Sequence, residues 1–451
     1  MKNHTLENTT SNTPNALTKR VIPRQAHSIS RQHISPNALK VLYRLNSAGF
    51  DAYIVGGGVR DLVLGGRPKD FDVATNATPE QIRKLFRNCR LIGRRFRLAH
   101  VMFGREIIEV ATFRGHHQEN QSDKQLSNQS EEGLLLRDNV YGSIDEDAQR
   151  RDFTINAMYY NIADHSIHDY ANGMNDIKER LIRLIGHPPL RYQEDPVRML
   201  RAVRFAVKLD FDIEEDTAAP IEHMAHLLNL IPPARLYEES LKMLQMGFGL
   251  ENYHQMRKYG LFQPLFPCVS RYFTADYHSL TEQMLDLVLD ATDQRVEEQK
   301  RINPAFMFAA IHWYPLVDEM QRQRALRHKK PINQQEIMAA ASNVILDELV
   351  KTLAIPRRHT TTIREIWQLQ SRFATTSKAR VMRILEQAKF RAGFDFLLMR
   401  GEIEGGATQE LAQWWKKLIE ATPSQRQNII DGLSSSTKRR TTNRSKKTTK
   451  A

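Results

Sequence analysis

The chain has 451 residues, 41% of them hydrophobic, and its 65 Lys and Arg exceed its 52 Asp and Glu to leave a net charge of +13. That length allows about three domains with sizeable cores; no run of about eighteen apolar residues offers a membrane span, and the polar start Met1-Lys2-Asn3-His4-Thr5 lacks an apolar signal core. Two cysteines, Cys89 and Cys268, exclude a disulfide scaffold and a multi-cysteine zinc site and fit a reducing cytoplasm, while the basic excess suits a polyanionic partner.

Residues up to about 35 are rich in Asn, Thr, Ser and His without apolar periodicity and read as a flexible arm. From Pro36, the positions Ala38, Leu39, Val41, Leu42 and Leu45 have helical spacing that ends at Gly49. A strand at residues 53–55 then runs into Gly56, Gly57 and Gly58, and a helix begins around Val59-Arg60-Asp61-Leu62. Glycines at a helix start let backbone N–H groups approach an anion, and Arg60 adds a fixed charge. Asp70 and Asp72 follow at i and i+2 of an extended segment, so both carboxylates face one way and call for a cation such as Mg²⁺. A glycine turn followed by an acidic surface strand is the plain structural alternative. Thr78 as N-cap and Pro79 at the first position open another helix.

Residues 91–101 set Arg94, Arg95 and Arg97 around Phe96 before alternating toward a strand. This is a solvated basic loop or, beside the acidic pair, an RNA contact. On the strand at residues 107–113, Glu109 shares a face with Ile107, Ala111 and Phe113 and is either a third metal-site carboxylate or a group held by Arg114. Residues 115–139 lose pattern and read as a mobile loop, with His116 and His117 as polar loop residues. Arg150, Arg151, Asp152 and Asn156 then combine cations, a carboxylate and an amide, a set that suits phosphate oxygens and sugar hydroxyls.

A second informative stretch is Glu194-Asp195-Pro196-Val197-Arg198, continued by Arg201, Arg204 and Phe205. Pro196 opens a helix, and Asp195 with Arg198 forms an acceptor and donor pair that complements a base edge; a basic solvent face is the commoner meaning of such a pattern. Beyond Ile213 the chain reads as helix after helix without an internal repeat, punctuated by Pro232-Pro233 and Pro356. From Ser434 it holds almost only Ser, Thr, Lys and Arg, a disordered cationic tail in which Lys438, Arg439 and Arg440 are RNA-binding candidates.

The motifs Gly56-Gly57-Gly58-Val59-Arg60-Asp61, Asp70-Phe71-Asp72, Arg150-Arg151-Asp152 and Glu194-Asp195-x-x-Arg198-x-x-Arg201-Ala202-x-Arg204-Phe205 resemble, in order and spacing, those of the class II tRNA nucleotidyltransferase and bacterial poly(A) polymerase superfamily. The resemblance is strong over residues 40–245. It implies an α+β fold: a nucleotidyltransferase head with a small mixed sheet (38–172) after an N-terminal arm (1–37), then a helical neck (173–245), a helical body (246–433) and a basic tail (434–451). It implies Asp70 and Asp72 as holders of catalytic Mg²⁺, Gly57 and Arg60 as triphosphate contacts, and Arg151 and Asp152 on the nucleotide's phosphate and sugar, Asp152 also counting as a catalytic carboxylate. Asp195 and Arg198 would read the base, supported by Arg201 and Arg204.

Adenine and cytosine both present an amino donor beside a ring acceptor, so Asp195 and Arg198 do not separate A addition from CCA addition unaided. Residues 91–101 look like the stretch that marks bacterial poly(A) polymerases, and His168-Asp169 stands alone, without the phosphohydrolase signature of some CCA-adding enzymes. The expectation is therefore a template-independent polynucleotide adenylyltransferase that joins AMP from ATP to RNA 3′ ends, without a DNA partner, in the cytoplasm, with RNA-decay proteins as the partner class. The alternatives are a CCA-adding enzyme and a catalytically silent RNA-binding protein on the same scaffold.

Overall fold

The computed structural model describes residues 19–93, 97–115, 127–129, 135–138, 140–326, 333–374 and 377–433. They fall into two units, divided between Leu227 and Leu228. The division lies inside the stretch assigned to the neck: Asp195 and helix Val197–Leu209 belong to the first unit, and helix Pro233–Leu244 to the second.

Among the described residues the first unit has twelve strands, of which β11 (Leu181–Ile182) and β12 (Asp212–Ile213) form a parallel pair of their own; the other ten are β1 (Arg20–Ile22), β2 (Ala52–Val55), β3 (Asp72–Thr75), β4 (Cys89–Ile92), β5 (Leu98–Phe103), β6 (Glu106–Thr112), β7 (Ser127–Gln129), β8 (Leu135–Asp138), β9 (Met158–Asn161) and β10 (Ile167–Asp169). Eight of them make one sheet in the order β1-β10-β9-β2-β3-β6-β5-β4, antiparallel throughout except for the parallel pair β3 and β6. The remaining two, β7 and β8, pair with each other. That pair corrects the expectation of an unpatterned loop over 115–139. Strands of three and four residues are too short to show alternation in the sequence.

The helices that accompany the sheet include α1 (Pro36–Ser47), α2 (Gly57–Val63), α3 (Pro79–Leu85), α4 (Ile144–Arg150), α5 (Gly173–Glu179), α6 (Pro188–Glu194) and α7 (Val197–Leu209). The Ser35 hydroxyl accepts from the N–H groups of Asn37 and Ala38 to cap α1, whose Ala38, Val41, Leu42 and Leu45 are buried. In α3, Thr78 and Gln81 form a reciprocal capping box behind Pro79. Both helices cover one face of the sheet: α1 packs on β2, β3 and β6, and α3 on β4 and β5. Beneath them Ile54, Val73, Ala99 and Val110 are buried. An aliphatic side chain moved fully out of water contributes about 1.5–3 kcal/mol, so this layer fixes the strand register.

Strand pairing puts Val55, Asp72, Glu109, His100 and Tyr159 on the opposite face. There the central strands turn two carboxylates toward solvent, since Asp72 and Glu109 are both exposed.

The N-terminal segment departs from the expected arm. From Lys19 onward it is part of the fold: β1 pairs with β10, His27 Nε2 lies 2.8 Å from the carbonyl oxygen of His165, and Ile22, Ile29 and Ile34 are buried. Ile29 and Ile34 stand singly among polar residues and Ile22 lies in the short Val21-Ile22 pair, which is why no periodicity announced them. Residues 1–18, where the arm was also placed, and 434–451, the basic tail, lie outside the described residues.

The second unit is helical. Its longer members include Leu280–Glu297, Gln334–Leu353, Arg357–Phe373 and Phe390–Glu404. Trp367 and Trp415 are fully buried and still satisfied, each indole N–H donating to a backbone carbonyl, of Ala309 at 2.8 Å and of Phe373 at 3.0 Å. Among the described residues no helix is long and apolar enough to cross a membrane.

Candidate active site

The turn between β2 and α2 is made by Gly56, whose φ of +67° and ψ of −137° suit glycine alone. A Cβ there would sit 3.6 Å from Arg151 Nη1 and 4.0 Å from Asp72 Oδ2, so the turn lies against both a guanidinium and a carboxylate. Asp72 begins β3, and Asp70 precedes it by two residues; both are exposed. Although solvent reaches Asp72, the surrounding protein, then the Glu109 charge and the Asp70 charge, push its carboxyl up to about 6 against the opposing pull of Arg151.

Glu109 is the register partner of Asp72 on the neighbouring parallel strand. Its Oε1 lies 3.2 Å from His100 Nε2, while the backbone of Arg114 bridges to Tyr141 and its N–H donates to Asp147 at 3.1 Å. The face that reads as apolar in the sequence is open only at one end, where Ile107 is 44% exposed and Glu109 also reaches solvent; at the other end Phe113 is buried with Val55 and Tyr159. Among the described residues no group of three His, Cys, Asp or Glu side chains is arranged to hold a metal ion by itself.

Arg151 follows α4. Its Nη2 donates to Asp147 Oδ2 at 3.0 Å and its Nε to the Tyr159 hydroxyl at 2.8 Å, while Tyr159 donates to the same Asp147 oxygen at 2.6 Å. Burial works against the charge of Arg151, but Tyr159 and Asp147 outweigh it and keep the guanidinium protonated. Asp152 is held more fully. Its Oδ1 accepts from Phe153 N at 2.8 Å and Asn156 Nδ2 at 3.2 Å, and its Oδ2 from Arg201 at 2.7 Å to Nε and 2.5 Å to Nη2. Burial would raise its carboxyl; Arg201, Phe153 and Asn156 instead hold it down to about 2.

Arg60 is buried. Its guanidinium donates to Asp61 Oδ1 through Nε at 2.9 Å and Nη2 at 2.7 Å and to Asn156 Oδ1 through Nη1 at 2.8 Å. It lies 5.2 Å from the Phe205 ring centroid, as does Arg201, with Arg204 at 5.0 Å. Three arginines of the sequence motifs therefore converge on one phenylalanine, which meets Phe153 edge to face at 5.6 Å. Arg60 thus ties α2 to the Asn156 turn and to α7.

Asp195 stands just ahead of α7, its Oδ1 accepting from Val197 N at 3.3 Å. Arg198 donates from Nη1 to Glu194 Oε2 at 2.9 Å and to the carbonyl oxygen of Arg191 at 2.6 Å. Arg94 and Arg95 lie outside the described residues, as do Lys438, Arg439 and Arg440, while Arg97 is exposed and paired with Glu80 at 2.9 Å.

Three participants escape sequence reasoning. Asp147 had a signal, four residues before Arg151 on the same helical turn. Tyr159 had a weaker one, its alternation with Tyr160 on β9. Arg191 had only its i,i+3 spacing from Glu194, which says nothing of its other partners forty residues away: Nη2 donates to the carbonyls of Arg150 at 2.9 Å and Arg151 at 2.8 Å.

Comparison with known proteins bears on the same residues. Residues 52–183 match the family described as the Poly A polymerase head domain, 210–273 the probable RNA and SrmB-binding site of polymerase A, and 330–449 the polymerase A arginine-rich C-terminus. The chain is 56% identical to Poly(A) polymerase I of Salmonella typhimurium over 92% of its own length and 88% of that protein's. It belongs to the bacterial poly(A) polymerase family.

As a bacterial poly(A) polymerase it is a polynucleotide adenylyltransferase, a nucleotidyltransferase that adds poly(A) tails and binds RNA and ATP. The CCA-adding enzyme of Lactobacillus helveticus is 39% identical, but over only 46% of this chain and 49% of that protein. The crystal structure of the Bacillus stearothermophilus CCA-adding enzyme in complex with CTP superposes with a TM-score of 0.56 at 23% identity, covering 85% of this chain and 82% of that one. The poly(A) polymerase thus has the nucleotidyltransferase architecture, an α+β head followed by helical domains.

Proposed function

We propose that the open face of the sheet is the catalytic face and that Asp70 and Asp72 hold Mg²⁺ there. The observation that carries this reading is the strand register, which sets Asp72 beside Glu109 with Asp70 two residues away; burial first, and then these neighbouring charges, raise the Asp72 carboxyl, a donor set that a divalent cation relieves. The fit is to Mg²⁺ in particular, which takes one or two carboxylates and leaves its other positions to water and phosphate oxygens. Glu109 adds charge beside the site rather than a third ligand in a closed cage. When bound, the ion would supply neutralisation of phosphate charge and activation of the RNA 3′ hydroxyl for attack on the α-phosphorus of ATP.

The chain's own residues supply the rest. Gly56 and Gly57 leave room for the triphosphate beside Arg151, whose charge is fixed by Asp147 and Tyr159. Asp152 and Asn156, both held by arginines, present oriented acceptor and donor atoms to the ribose hydroxyls. Asp195 and Arg198 read the base edge. Arg60, Arg201 and Arg204 gather on Phe205 and lock the glycine turn, the sugar-binding turn and α7 together; they support the nucleotide by positioning its contacts. The neck, body and tail, with Arg94, Arg95, Arg97, Lys438, Arg439 and Arg440, would carry the RNA. The cytoplasm is the proposed compartment, supported by the free thiols of Cys89 and Cys268, and RNA-decay proteins are the proposed partners of a chain whose product is a single-stranded 3′ tail.

The test is substitution at constant volume. Asp70→Asn and Asp72→Asn each remove one charge from the metal site, and AMP addition to RNA should fall at least a hundredfold or so, as when a preorganised charge-stabilising group is lost, with the thermal unfolding midpoint held or raised. Near-normal addition with unchanged Mg²⁺ dependence in either variant overturns the assignment.

A further inference from the structure

Arg191 belongs to no motif that the site reading uses, yet it touches both halves of the nucleotide site. Its side chain is 12% exposed and reaches from α6 to the end of α4, where Nη2 bridges the carbonyl oxygens of Arg150 and Arg151, the two residues immediately before Asp152. Its Nη1 donates to Glu194 Oε2 at 2.5 Å, and the same oxygen accepts from Arg198 Nη1 at 2.9 Å. The backbone carbonyl of Arg191 completes the circuit, accepting from Arg198 Nη1 at 2.6 Å and from Asp195 N at 3.2 Å.

The local chain is shaped around this side chain. Gly186 has φ of +85°, and a Cβ on it would lie 3.4 Å from Arg191 Cδ and 3.6 Å from Cγ, so the turn before α6 passes over the arginine stem at contact distance. Burial, then the Arg198 charge, lower the guanidinium to about 10, which leaves it protonated at neutral pH. A planar fork is required for this geometry: one edge spans two carbonyls while the other meets a carboxylate, and an ammonium on a flexible stem cannot do both.

We propose that Arg191 is a positioning residue for nucleotide selection, fixing the base-edge pair Asp195 and Arg198 in register with the phosphate and sugar contacts of Arg151 and Asp152. This rests on the reading of Asp195 and Arg198 as base-edge residues. A nucleotide whose base is read at one end and whose sugar and phosphates are held at the other is discriminated only if the two ends keep a fixed separation. A loosened register lets other bases reach the same catalytic geometry.

The experiment uses the full chain, an unstructured RNA and each nucleoside triphosphate separately. In Arg191→Lys and Arg191→Gln, the KM for ATP should rise about tenfold and the preference in kcat/KM for ATP over CTP should fall about tenfold, the scale of one or two lost charge-assisted hydrogen bonds. The KM for RNA should stay near wild type. Restoration of ATP affinity and base preference by Arg191→Lys overturns the proposal, since it would show that charge alone suffices. So does retention of base preference in both variants while Arg198→Ala loses it. If Arg198→Ala itself keeps full preference, the base-edge reading fails first and the two failures are told apart. Should the Arg191 variants not fold, Glu194→Gln leaves both carbonyl bonds of Arg191 in place and removes the shared charge; a folded Glu194→Gln with full ATP preference overturns the proposal, and a several-fold loss supports it.

Discussion

Asp72 concentrates the electrostatics of the site because three carboxylates of the open face are not balanced by one nearby guanidinium. Its charged form is disfavoured by its surroundings first and by Glu109 next, so removing the Glu109 charge should ease it. We expect Glu109→Gln to lower the Asp72 pKa while leaving the fold intact, read by a pH titration followed by NMR of the carboxyl carbon; an unmoved titration midpoint would show that the two register partners do not communicate. Gly56 sets a second expectation at this scale. Its backbone angles are confined to glycine, and a new Cβ would enter the space between Arg151 and Asp72. Gly56→Ala should cost about 1–3 kcal/mol of stability and raise the KM for ATP. An unfolding free energy within about 0.5 kcal/mol of wild type, the usual span of surface substitutions, would contradict the strained turn.

The elements that sequence patterns foretold are those whose stabilising contacts are local. The caps of α1 and α3 satisfy backbone groups within three residues, so Ser35-Pro36 and Thr78 to Gln81 reveal them without any tertiary knowledge. The Asp70 and Asp72 pair and the motif from Glu194 to Phe205 were equally plain. What stayed hidden depends on distant partners: β1, which carries Ile22, pairs with β10 far along the chain, and Arg191 donates from Nη2 to the carbonyls of Arg150 and Arg151. Glu109 was misread in its surroundings because a strand's period shows which residues share a face, not which face is covered.

The N-terminal correction has an energetic consequence. Ile29 is 1% exposed, so Ile29→Ala should destabilise the first unit by about 2–4 kcal/mol through lost burial and the cavity left behind. A flexible arm would give a change near zero in chemical denaturation. In the second unit, His312 joins helices Pro304–Ile311 and Trp313–Ala325, fully buried, and burial lowers its pKa from the ordinary 6.5 to about 4. The unfolded chain binds a proton there that the folded chain excludes. That contribution to stability is complete above pH 6.5 and is lost as pH falls toward 4, by about 3 kcal/mol at 1.36 kcal/mol per unit. His312→Leu should shrink the difference in unfolding free energy between pH 7.5 and 4.5; an identical pH difference in both proteins would refute it.

At the scale of the whole molecule, a chain with a net charge of +13 meets a polyanion, and its basic end is the simplest place to test how. The segment beyond Leu433 holds seven Lys and Arg between residues 438 and 450 and no acidic residue. Each phosphate neutralised on single-stranded RNA contributes a slope of about −0.7 in log affinity against log salt. Removing that segment should weaken RNA binding at low salt and flatten the slope while ATP affinity stays unchanged, because the proposed nucleotide residues lie between Gly57 and Arg204. The central claim is that this architecture, shared with CCA-adding enzymes, extends RNA with adenylate alone. Its most direct test gives the purified protein Mg²⁺, a generic unstructured RNA or a tRNA lacking its terminal CCA, and each nucleoside triphosphate singly and in mixture. Long tails grown from ATP, with poor use of CTP, are the result the account predicts; the addition of two C residues and one A to the truncated tRNA, followed by arrest, would contradict it.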